Sequence, residues 1–151
     1  MLSYHKTTEE EKRAICEWKY EGEYAIYNNL PYEEQIEKKQ GFGNPQNNFY
    51  SFYEGLNLIG YINLVEKTDS VSFGIGVDPR FCNKGFGQKM CKTACVLSHE
   101  RYPGKPLSLV VRTWNVRAVK CYEKAGFRIV GKPIIQITPA GEGQFYHMAA
   151  E

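Results

Sequence analysis

Apolar and polar positions change spacing several times along the chain, and each change predicts an element. Leu2 to Lys6 reads as a short extended segment. Thr8-Glu9-Glu10-Glu11 forms a capping box, with Thr8 as N-cap and Glu11 three positions on. The helix it opens carries Ala14, Ile15, Cys16 and Trp18 on a mixed apolar face and is predicted to reach about Tyr20. Residues 20–29 are dense in aromatics and acids, and Pro31 begins a second short helix over about 32–39. Gly41 to Asn48 is a loop rich in Gly, Asn and Pro. Phe49–Tyr53, Leu58–Val65 and Val71–Val77 then read as three strands joined by short turns, an antiparallel meander.

After a loop over 78–84, a helix is predicted from near Gly85 to about Arg101, with Phe86, Met90, Ala94 and Leu97 as its buried stripe. Pro103, Gly104 and Pro106 end it, and Leu107–Arg112 is a buried strand. Asn115 opens another helix that stops at Gly126, a C-cap glycine. Strands follow over 127–130 and 144–149. A helix between the strands near 75 and 109 implies a parallel crossover. The expected class is therefore α+β. Its mixed central sheet has about six or seven strands, flanked by about four helices.

Composition narrows the class. The 151 residues fit a single domain spanning 1–151, and 42% hydrophobic with 24% charged residues is globular. Apolar runs such as Leu109-Val110-Val111 are too short to span a bilayer. The start, Met1 to Lys6, has no signal-peptide core, so a soluble cytoplasmic protein is expected. Five cysteines without a Cys-x-x-Cys spacing point to reduced, structural thiols. Cys91, Cys95 and His99 recur every four residues, but small cysteines commonly pack helices, and no metal is expected. Charge is divided along the chain. Residues 1–66 hold six basic and eleven acidic residues, and residues 67–151 hold thirteen and six. The C-terminal part suits an anionic ligand and the N-terminal part a cationic one.

Two segments carry candidate chemistry. In the first, Val77 leads through Asp78-Pro79-Arg80-Phe81-Cys82-Asn83-Lys84-Gly85-Phe86-Gly87-Gln88 into a helix N-terminus. Glycines let the backbone approach a ligand closely, and free N–H groups with the helix dipole hold an anion. Arg80, Lys84, Lys89 and Lys92 add charge, with no acid among residues 79–92. The pattern is neither a Walker loop nor a dinucleotide fingerprint. In the second segment, Asn115, Ala118 and Tyr122 share one helix face. A tyrosine there either packs or presents its hydroxyl as a proton donor.

Together these segments resemble the GNAT superfamily of N-acetyltransferases. The family's strand leads into a Gln/Arg-x-x-Gly-x-Gly/Ala loop, and a later Asn-x-x-Ala-x-x-x-Tyr-Glu-Lys-x-Gly-Phe follows, matched here from Asn115 to Phe127. Cys82 departs from the family's Gln or Arg, but the loop binds mainly through backbone N–H groups, and Gly85 and Gly87 are kept. The resemblance implies a GNAT-like fold in one acetyltransferase-like domain with acetyl-CoA as cosubstrate. Backbone groups of Ile75, Gly76 and Val77 would pair with the pantetheine arm. N–H groups of Cys82, Asn83, Lys84, Gly85, Phe86, Gly87 and Gln88 would hold the pyrophosphate. Asn115, Ala118 and Lys124 would complete the cofactor contacts, and Tyr122 would protonate the departing thiolate.

Physical chemistry agrees with the last role. Acyl transfer from a thioester needs an unprotonated amine, a stabilised oxyanion and a proton for sulfur. A phenol of pKa about 10 and a thiol of about 8.5 are nearly matched. The Val77 N–H is the expected oxyanion donor. A Cys121 nucleophile is disfavoured: no His lies near it in sequence, and its helix face differs from that of Tyr122. The strand before the loop has no acid, which leaves Glu21 and Glu23 as candidate bases or plain surface carboxylates. Tyr20, Tyr24 and Tyr27 either wall an acceptor pocket or simply pack. The expected reaction is acetyl transfer to a primary amine of a small molecule or protein N-terminus, by direct attack in a ternary complex. The expected partners are acetyl-CoA, the amine and a second copy in a homodimer, with no nucleic acid or membrane. The alternative is a non-catalytic acyl-CoA-binding module.

Overall fold

The computed structural model describes residues 2–138 and 140–151. Strand β1 (Leu2–Lys6) is followed by helices α1 (Glu9–Cys16) and α2 (Tyr32–Lys38). The meander β2 (Phe49–Glu54), β3 (Asn57–Glu66) and β4 (Val71–Val77) leads to the long helix α3 (Phe86–Arg101). Strand β5 (Leu107–Arg112), helix α4 (Val116–Lys124) and strands β6 (Arg128–Ile129), β7 (Ile134–Thr138) and β8 (Gly141–Ala150) complete the order. The eight strands form one sheet in the order β1-β2-β3-β4-β5-β8-β6, with β7 beside β6 along the same edge of β8.

This is the α+β class expected, with one strand more than the pattern predicted. The pattern does not predict β7, although its Ile-Ile-Gln-Ile-Thr run is rich in β-branched residues; Ile135 and Ile137 stand exposed on it, so it carries no buried alternation. Helix α1 also stops at Cys16 rather than near Tyr20. The chain turns there because Trp18 packs with Ile15, Cys16 and Phe42 under the sheet. Residues 22–27 then form a 3-10 turn.

The two faces of the sheet are covered differently. One face is packed by α3 and α4, where Met90, Ala94, Leu97 and Val119 meet Ile62, Leu64, Phe73, Leu109, Val111 and Met148. The other holds the smaller cluster under α1 and α2, which includes Tyr61 and Phe49. Cys91 of the Cys91-Cys95-His99 stripe is fully buried in the larger core. Among the described residues no His, Cys, Asp and Glu group is placed to hold a metal ion, and no helix is long and apolar enough to cross a membrane.

One irregularity positions the site. β4 and β5 run parallel but pair only at Val71–Leu107 and Ser72–Ser108. Beyond Ser72 and Ser108 they diverge, and the sheet opens along the rest of both strands. In the antiparallel ladder with β3, alternate residues of β4 turn their backbone groups toward β3. Since the Asp78 N–H donates to Ile59 and the Val71 N–H to Pro106, the odd-numbered residues Phe73, Ile75 and Val77 turn theirs into the opening.

Candidate active site

A cavity of about 660 Å³ fills the split between β4 and β5. Its walls are Phe73 to Val77 on one side and Leu109 to Arg112 on the other, with the turn after β4, helix α4 and residues Tyr20, Tyr24 and Tyr27 closing it.

The turn after β4 is built from local interactions. Asp78 is buried; its carboxylate accepts from the Arg80 N–H at 2.9 Å and from the Arg80 guanidinium at 2.7 Å. Asn83 and Gly85 both take positive φ, at 63° and 83°. At Gly85 the left-handed backbone is the constraint, since a Cβ there would meet nothing within 4 Å. At Gly87 the constraint is space, since a Cβ would lie 3.2 Å from the Cys121 sulfur. Among the described residues, the backbone N–H groups from Asn83 to Gln88 have no hydrogen-bond acceptor. No side chain caps α3 and its first turn holds no acid. This is an anion cradle at the end of a helix dipole, facing the cavity through Asn83, Gly85, Gly87 and Gln88.

The residues expected to bind cofactor are thus largely brought together. Ile75, Gly76, Val77, Cys82, Asn115, Ala118 and Lys124 also line the cavity. Lys84 is exposed and Phe86 is buried against Phe81, so these two do not line it. The Cys82 thiol turns back toward the carbonyls of Val77 and Asp78, at 3.7 and 3.6 Å. Asn115 works from both ends of its amide. Its Oδ1 accepts from the Ala118 N–H at 3.2 Å and caps α4, and its Nδ2 donates to the Tyr27 hydroxyl at 3.1 Å.

Tyr122 lines the same cavity and packs edge-on against Phe127, with ring centroids 5.9 Å apart. Burial pushes its phenol well above the ordinary value, so it holds its proton at neutral pH. Cys121 lines the cavity too, despite lying on a different helix face. The neighbouring Cys91 thiol and Lys124 lower the Cys121 thiol below its ordinary value, against the opposing effect of burial.

Glu21 and Glu23 are exposed and do not line the cavity; the tyrosines beside them do. The lining side chains include Arg112, Arg117, Lys120 and Lys124, and no Asp or Glu. Arg112 and Arg117 were not singled out from sequence as cavity residues. An arginine closing the mostly apolar run Leu107–Val111 is the available signal for the first. The Arg117 guanidinium lies 4.2 Å from the Tyr24 ring centre.

This architecture recurs in solved structures. A chimera of the Vibrio cholerae spermidine N-acetyltransferase superposes with a TM-score of 0.79 at 22% identity, covering 99% of this chain and 94% of that one. The Vibrio cholerae spermidine N-acetyltransferase in complex with CoA and spermine gives 0.74 at 21% identity, over 98% and 94%. A ribosomal-protein alanine N-acetyltransferase from Escherichia coli gives 0.69 at 18% identity, over 99% and 93%. No curated protein sequence matches the chain. The sequence profile of one family spans residues 12–127, from α1 through the Asn115–Phe127 motif. This chain belongs to that family, the Acetyltransferase (GNAT) family, whose acetyl donor is acetyl-CoA.

Proposed function

We propose that the chain, acting as one domain, transfers the acetyl group of acetyl-CoA to a primary amine by direct attack within a ternary complex. One observation carries this reading: a single cavity joins the anion cradle to the Tyr122 side chain through the split sheet. In this arrangement the pyrophosphate sits on the N–H groups from Asn83 to Gln88. The pantetheine arm runs along the edge of β4 and pairs with the outward backbone groups of Ile75, which brings the thioester to the Val77 N–H between β4 and β5. The acceptor enters from the side of Tyr20, Tyr24 and Tyr27.

The amine nitrogen attacks the thioester carbonyl carbon, and the Val77 N–H stabilises the oxyanion. As the carbon–sulfur bond breaks, the Tyr122 phenol gives its proton to sulfur, and solvent returns one to the phenolate. The ammonium proton leaves through water, with Glu21 and Glu23 as final acceptors outside the cavity. No enzyme-bound acetyl group is formed, so Cys121→Ser should keep turnover within about threefold, whereas a relay through Cys121 would cost general nucleophile-scale losses of many powers of ten. Exposed Ile135 and Ile137 on the outer edge of the sheet support a homodimer, which sedimentation at graded concentrations tests.

The absence of carboxylates among the cavity's lining residues favours one other reading, a non-catalytic acyl-CoA-binding module. Thermal unfolding with acetyl-CoA, with ATP as the anion control, comes first. At one hundred times Kd, acetyl-CoA should add about 2.7 kcal/mol and raise Tm by roughly 5–11 °C. An equal rise with ATP, or none, removes the acetyl-CoA site. A rise with no CoA release in the presence of any amine leaves the binding module.

A further inference from the structure

We infer that the acceptor amine also carries a carboxylate, and that Arg112 binds it. The inference deepens the acetyltransferase reading and rests on it. Arg112 ends β5. Val111 before it packs into the core beneath α3 and α4, so Arg112 projects to the opposite face of the sheet. It is only 8% exposed and lines the cavity. Its guanidinium lies 4.8 Å from the Phe145 ring centre, and Gly143 leaves it room: a Cβ there would sit 2.2 Å from Nη1.

Among the described residues the guanidinium makes one side-chain hydrogen bond, from Nη2 to the Thr138 hydroxyl at 3.1 Å, and no carboxylate pairs with it. A guanidinium has five N–H donors, and burying its charge without a counter-ion is costly. The acetyl-CoA phosphates do not supply that counter-ion, because their cradle lies at the N-terminus of α3, on the other face of the sheet. The acceptor is left to provide it. A planar fork of donors matches a carboxylate in two parallel hydrogen bonds. A polyamine would instead meet Arg112, Arg117 and Lys120 in a cavity whose lining has no acid. Arg112 is thus the residue that selects an amino acid or a similar amino carboxylate as acceptor.

The test is CoA release with the proteinogenic amino acids, their amides, ethanolamine phosphate and spermidine as acceptors. At least one amino acid should exceed its amide about tenfold in kcat/KM. Arg112→Gln should lower that value about a hundredfold, mainly through KM, and bring the acid-to-amide ratio close to one. Its acetyl-CoA Kd should stay within about twofold, since the cradle is untouched. Arg112→Lys should keep part of the preference. Should Arg112→Gln fail to fold, Thr138→Val removes the partner that orients the guanidinium and should raise the amino-acid KM several-fold. Amides or spermidine used as well as acids, ethanolamine phosphate preferred over every acid, acetyl-CoA binding without use of any acid, or an acid-to-amide ratio unmoved by both variants would each overturn the inference. The first two leave acetyl transfer standing. Absence of acetyl-CoA binding instead removes the acetyltransferase reading itself.

Discussion

The Tyr20 hydroxyl donates to the backbone carbonyl of Val77 at 2.7 Å, across 57 positions of sequence. Burial pushes this phenol upward, so it stays a donor across the neutral range. The Tyr20 N–H in turn donates to Asn28 Oδ1 at 2.6 Å, which closes residues 20–28 into one unit. Val77 is the last residue of the strand edge that opens into the cavity. The bond therefore ties the acidic, aromatic segment to the edge where an acyl chain would lie.

Tyr20→Phe removes that tie and little else. The lost hydrogen bond should cost about 1 kcal/mol in urea unfolding. The acceptor KM should rise several-fold while acetyl-CoA Kd moves by less than about twofold, because Val77 keeps its carbonyl. An acetyl-CoA Kd that changes more than the acceptor KM would mean that Tyr20 acts on the cofactor arm.

Tyr122→Phe should lower kcat by about 10²–10⁴, the usual range for a general acid. The pH profile carries a sign. A phenol raised above its ordinary value stays protonated through neutral and mildly alkaline pH. Rates should therefore climb as the amine loses its proton, and the alkaline fall from Tyr122 ionisation should lie above about pH 10. A descending limb near pH 8 would point to another acid, such as Cys121.

Glu11 is a second use of a capping residue. Its carboxylate accepts from the Thr8 N–H and the Ser51 hydroxyl at 2.9 Å, from His5 at 2.7 Å and from the Tyr53 hydroxyl. Burial would raise its pKa, but these bonds, Tyr53 foremost, outweigh it and bring the group to about 2 from 4.5. The folded value is depressed, so the stabilisation is present above about pH 4.5 and is lost as pH falls toward 2. It amounts to about 3 kcal/mol at most. Glu11→Gln should lower stability at pH 7 and flatten the wild-type loss between pH 4.5 and 2. Parallel acid-unfolding curves for the two proteins would refute the account.

The two loop glycines should respond differently. Gly85→Ala places a side chain at positive φ with no clash against the rest of the chain, so it should cost about 1–2 kcal/mol of stability. Gly87→Val pushes methyls against Cys121 in the first turn of α3 and should raise acetyl-CoA Kd at least about tenfold. Calorimetric titration with acetyl-CoA, alongside unfolding curves, separates the two effects.

Much of this molecule was decided by neighbours in sequence. The Thr8–Glu11 capping box, the Asn115 cap of α4, the turn through Gly85 and the meander β2-β3-β4 depend on contacts a few residues apart, so local pattern specifies them. The family's two motifs are legible for the same reason, since each is one loop or one helix face. The tertiary structure decided what those pieces enclose. β4 and β5 separate after two paired residues, and no residue in either strand announces it. Glu21 and Glu23 lie outside the cavity while Tyr20 and Tyr24 line it, because a 3-10 turn, not a longer α1, sets their direction. Arg112 reads in sequence as one more basic residue of a basic half. Only the pairing of β5 with β8 makes it a buried charge with no carboxylate partner among the described residues, because burial and pairing are properties of distant segments brought together.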